Sequence, residues 1–166
     1  MNVNLPALSM RSDPYFIKNP DETTNNFTKK NVEDAAETLE LKSELSIDEL
    51  KEMLKGYDFT SISTNELADV GSLLVKSGLI DGDVSMFFIF GNKETDETGH
   101  QTGKDVKFNA VAMFNQMLGD RQESELNAIK SFREISSHLT RANHVLAALS
   151  YFANSSQTSL SVNVEA

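Results

Sequence analysis

At 166 residues, with 39% hydrophobic content and ten Phe, the chain can bury one real core and is too apolar for wholesale disorder. Its 15 Lys and Arg against 25 Asp and Glu leave a net charge of −10, which argues against nucleic acid as a partner, because such binding rests on neutralising phosphates with cations. The absence of Cys excludes disulfides, thiolate metal sites and cysteine nucleophiles, and suits a reducing compartment.

The first residues, through Pro14, lack a basic start followed by an apolar stretch, so a signal peptide is not expected. The longest uncharged run, Ala142–Val164, is broken by polar side chains and falls short of the roughly 20 mainly apolar residues that a membrane span needs. The expectation is a cytoplasmic chain with no membrane and no nucleic-acid partner. Residues 1–30 hold all three prolines and show no period, so they read as a flexible arm, tacked down at most by Tyr15, Phe16 and Ile17.

Helical spacing begins at Asn31. Val32, Ala35, Ala36 and Leu39 share a face, with Glu33 and Asp34 in the first turn, where the helix dipole favours acids. Next, Ser46 and Glu49 form a capping-box pair, with Leu45 placed to staple Leu50 and Gly56 to stop the helix. The device recurs with Ser63, Glu66, Ile62, Leu67 and Gly78. Two capped helices joined by the turn Gly56–Ile62 read as a helical hairpin. Asp81 can cap a short segment through Phe90, for which a helix is preferred over a buried strand.

Residues 91–105 form a polar, Gly-containing loop. Asp105 then serves as cap for a helix through Leu118, which Gly119 interrupts and Asp120 restarts. From Ala128 the apolar positions Phe132, Ile135, Leu139, Ala142, Leu146, Leu149 and Ala153 step by 4 and 3, the seam of a helix packed along another. With no Gly or Pro between Asp120 and Ala153, one helix about 50 Å long is expected. Residues 154–166 read as a disordered tail.

The fold expectation is therefore all-α: a compact helical bundle over 31–153 with a long C-terminal helix. The stretch Gly56-Tyr57-Asp58-Phe59-Thr60, continuing through Ser63-Thr64-Asn65-Glu66-Leu67 to Gly78-Leu79-Ile80, resembles a pattern in small bacterial proteins of uncharacterised function. It spans about residues 50–82, implies a bacterial source, and carries over no activity and no site residue.

His138 and His144 stand six apart, about 240° around a helix, and cannot share one metal from that helix. Glu97 and His100 spell E-x-x-H, but once only and in a loop, where a di-iron bundle needs two helical copies and two more Glu. Asp81 and Asp83 do not fit a calcium loop. Phosphate-cradling glycine loops and nucleophile elbows do not occur. No catalytic residue, cofactor or metal is expected.

Charge is uneven: residues 31–106 carry 17 acids against 6 Lys, whereas residues 120–153 carry four of each sign. The leading functional expectation is a non-enzymatic interaction or regulatory protein. It would bind a protein partner, or itself as a homo-oligomer, through the seam Phe132, Ile135, Leu139, Leu146 and Leu149. One alternative is an enzyme whose site assembles from scattered residues such as Glu97, His100 and His138. Another is an acidic chaperone or decoy for a basic partner.

Overall fold

Asn31, in extended backbone, accepts the amide of Asp34 and starts α1, Val32–Thr38. The computed structural model describes residues 7–162, which are mostly helical as expected. After α1 come α2 (Glu44–Met53), β1 (Ile62–Ser63), α3 (Thr64–Lys76), α4 (Gly82–Phe90), β2 (Lys107–Phe108), α5 (Ala110–Gln122), a 3-10 turn at Glu125–Ala128, and α6 (Lys130–Val162).

The capping box at Ser63 forms as read. Its hydroxyl accepts the Glu66 amide, and the Glu66 carboxylate accepts the Ser63 amide. Such a cap contributes about 1 kcal/mol, and Ile62 and Leu67 beside it are fully buried. α2 starts earlier than expected, because Ser43 rather than Ser46 is its cap and Ser46 supplies the bonded amide. The Leu45 side chain, assigned the staple, lies outside the described residues.

The expected hairpin of α2 with α3 is corrected. α3 packs chiefly on α4, while α2 packs on α6. The Gly56–Ile62 turn carries Phe59 inward instead of folding α2 back along α3, and Phe59 ends fully buried with its carbonyl capping Ala110 N at 2.9 Å. The α3–α4 contact is close. A Cβ built on Gly71 would stand 2.7 Å from Phe88 Cβ. Gly71→Ala gains about 1 kcal/mol of helix propensity but incurs roughly 1–3 kcal/mol of overpacking, so its melting temperature falls. Gly119→Ala in α5 meets nothing within 4 Å and raises it. Thermal denaturation of the two variants moving in the same direction would contradict this packing.

Residues 105–109 were expected to open a helix. Instead β2 pairs antiparallel with β1, Ile62 opposite Phe108 and Ser63 opposite Lys107, and Asp105 accepts from the Asn65 side chain at 2.8 Å. Buried Asn109 is the true cap: its Oδ1 takes the Ala112 amide, and its Nδ2 donates to the Pro20 and Glu22 carbonyls.

Those bonds belong to a wider set along residues 7–30, the stretch read as a loose arm. Ser12 forms an antiparallel bridge with Thr95, and Tyr15 N donates to Asn92 O at 2.8 Å. Gln116 accepts from Lys18 N and donates to Phe16 O. Tyr15 and Ile17 pack on the core as anticipated, while Phe16 is exposed. The polar loop 91–105 is ordered by the same strand-like contacts, with Thr95 bridging Gln101 as well.

The single rod over Asp120–Ala153 does not form. α5 continues through Gly119 to Gln122, and the chain then breaks without Gly or Pro. Ser124 caps the 3-10 turn, and Ile129 is extended. Arg121 holds the break, donating Nε to Ser136 Oγ at 2.9 Å and Nη2 to Phe132 O at 3.0 Å, with its guanidinium 3.7 Å from the Phe132 ring centroid. Asn143 Nδ2 donates to Phe114 O, so α5 runs back along α6. The physical reason is cover. Val111, Met113, Phe114, Met117 and Leu118 are buried and could not be if α5 and α6 were collinear. α6 extends to Val162, through much of the stretch read as tail, and residues 163–166 lie outside the described residues.

Candidate functional site

Of the expected seam, Leu139, Leu146 and Leu149 are fully buried among α1, α2, α4 and α5. They belong to the core, which corrects their reading as a surface for a partner. Phe132 is half-covered by Arg121, and Ile135 alone of the five is exposed, at 47%.

The surplus apolar surface lies elsewhere. Beyond its acidic first turn, α4 (GDVSMFFIF) carries apolar side chains around most of its circumference, the pattern of a helix covered all round. Val84 and Phe88 are buried, and Phe88 meets Phe114 edge-on at 5.5 Å. Yet Met86, Ile89 and Phe90 remain 43%, 38% and 47% exposed. Asp83 Oδ2 at the start of α4 stands 3.8 Å from His138 Nε2. Lys93, just past the end of α4, feels the charge of Arg121, which sits on Phe132. α4 therefore runs antiparallel to the first turns of α6, the stretch that holds the exposed Ile135. Leu126 and Ile129, in the turn that precedes α6, are also about half exposed.

The charges at its two ends are opposite. Asp81 and Asp83 mark one end, Asp81 also capping α4 through Val84 N. Lys93 and Arg121 mark the other. Lys93 has a left-handed backbone, φ 63°, and keeps an exposed edge. Partial burial first, and the Arg121 charge second, hold its ammonium below the usual lysine range. Among the described residues neither cation has an ion pair. Sequence reasoning missed both, since nothing in their local pattern marks two cations 28 residues apart as neighbours.

Asp81, Asp83 and His138, dismissed separately from sequence, do come together, with ligand atoms within 4.8 Å of one another. Ligands of a tetrahedral zinc, at about 2.1 Å from the ion, sit about 3.4 Å apart. The set lies beside the α4 cap, with Asp83 Oδ2 3.8 Å from His138 Nε2.

Glu97 and His100 stay in the loop, and neither belongs to a metal-capable group among the described residues. His100 serves a turn in which Asp96 Oδ1 accepts the amides of Thr98 and His100 and the Thr98 hydroxyl. That bonding, the Thr98 hydroxyl first, holds the Asp96 carboxyl below its usual range. His144 lies under the arm, edge-on to Phe27 at 4.9 Å and 3.4 Å from Lys29 Nζ. Burial, then the charges of Lys29 and Arg141, push it below the ordinary histidine value, so it is neutral near pH 7.

No family model, curated protein or solved structure matches this chain.

Proposed function

We propose that this protein is a non-enzymatic interaction protein that pairs with a second copy of itself through α4 and the first turns of α6. The observation that carries the reading is a nine-residue helix, largely apolar beyond its acidic first turn, with three large side chains left open to water. A second copy suits it because the ends are self-complementary. A twofold axis across the middle of α4 sets Asp81 and Asp83 of one copy against Lys93 and Arg121 of the other, as an isologous contact requires. The two cations that crowd each other without a carboxylate would gain one each.

Sedimentation equilibrium tests this. The wild type associates, and Met86→Ser/Phe90→Ser removes about 2–4 kcal/mol of anchor burial, raising the dissociation constant by about 30-fold or more. Both side chains are half-open, so the melting temperature of the monomer stays close to wild type. Lys93→Glu weakens pairing, and adding Asp83→Lys restores it. A wild type that is monomeric at every concentration, or a charge swap without restoration, sinks self-pairing.

A further inference from the structure

A cleft of about 450 Å³ opens between arm residues 23–29 and the α6 stretch 143–155, and no residue of α4 lines it. We infer that it binds an uncharged, polyhydroxylated small molecule, a monosaccharide or comparable polyol. This is independent of the pairing surface.

Asn143 is 3% exposed, and its Nδ2 donates to Phe114 O and to Leu139 O, each at 3.0 Å. Its Oδ1 has no hydrogen bond among the described residues. No fully enclosed side-chain oxygen in the described structure lacks a partner, so this oxygen must open onto accessible space, and the cleft is the space that Asn143 lines. A buried carbonyl acceptor with its amide spent on backbone needs a donor, at a cost of about 1–3 kcal/mol if none comes. The ligand therefore presents an O–H or N–H there.

The rest of the lining narrows the class. No Asp or Glu lines the cleft, although 25 of the 166 residues are acidic. Its one charged residue is Lys29, whose side chain is 8% exposed and whose Nζ lies 3.7 Å from Asp34 Oδ1 and 3.4 Å from His144 Nδ1. The ammonium is already answered, so the cleft is close to neutral and attracts neither a cation nor a strong anion. Thr23, Thr24 and Ser150 line it too, and their hydroxyls make no hydrogen bond among the described residues. Val111, Leu146 and Ala147 give an apolar floor, which suits the C–H face of a sugar ring. The size falls in the usual range for small-ligand sites, roughly 300–1,000 Å³.

Titration calorimetry on the full chain with D-glucose, D-ribose and myo-inositol tests this, with glucose 6-phosphate and AMP as charged arms. At least one neutral polyol is expected to bind more tightly than about 1 mM. Ala147→Leu, which fills the floor, weakens it at least tenfold with the melting temperature retained. Ser150→Val, at the wall, gives a second variant in case the first perturbs folding, and weakens binding about fivefold. Absence of binding by all three neutral probes would overturn the inference. So would glucose 6-phosphate or AMP binding tenfold tighter than any of them, or unchanged affinity in a folded variant.

Discussion

Leu139→Glu unfolds the protein, while Ile135→Glu, four residues earlier on the same stripe, leaves the fold intact and abolishes pairing. Leu139 is 0% exposed in the first third of α6. Losing its side chain alone costs about 2–5 kcal/mol, and a carboxylate with no partner there adds several more. That total consumes most or all of the roughly 5–15 kcal/mol that holds a domain together. Ile135 keeps half its surface in water beside α4, so a carboxylate stays solvated and costs under about 1 kcal/mol. Circular dichroism reads the first effect and sedimentation the second. Equal melting temperatures for the two variants would mean that α6 is not seated as described.

Gly91→Ala is expected to be the most damaging single-methyl change in the chain. Gly91 ends α4 at φ 50°, ψ −127°, a conformation that a side chain disfavours by about 1–3 kcal/mol. A Cβ there would stand 2.4 Å from Thr64 Oγ1 and 2.5 Å from its Cγ2, and Thr64 is itself buried at the start of α3. Overpacking adds roughly 1–3 kcal/mol, so the total approaches about 3–5 kcal/mol, a drop of roughly 10 °C or more for a chain of this size. The next residue, Asn92, receives Tyr15 N and so anchors the arm. Faster exchange of the Tyr15 amide should accompany the loss of stability. Gly82→Ala, at the first position of α4 with nothing within 4 Å, is the control and stays near wild type.

Local rules in the sequence predicted several elements correctly. The Asn31–Asp34 start, the Ser63–Glu66 box, the Asp81 cap and the stops at Gly56 and Gly78 each depend on atoms within four residues, so composition and spacing suffice to find them. Errors arose where two caps competed. Ser43 and Ser46 are both plausible N-caps, as are Asp105 and Asn109, and the choice fell to packing. Asn109 wins because its Nδ2 also donates to the Pro20 and Glu22 carbonyls, some 90 positions back.

The stripe on α6 was legible as apolar, but not what covers it, because a 4-and-3 repeat looks the same whether it faces the chain's own helices or another molecule. Likewise the break at Ser124–Ile129 has no glycine or proline to announce it. It exists because α5 and α6 must cover each other, with Arg121 reaching across to Phe132 and Ser136. Helix type, caps and stops are thus short-range matters written into neighbouring residues. Which faces are buried, which cations are left crowded and where a cleft opens depend on contacts between distant positions, and those were settled only when the chain closed on itself.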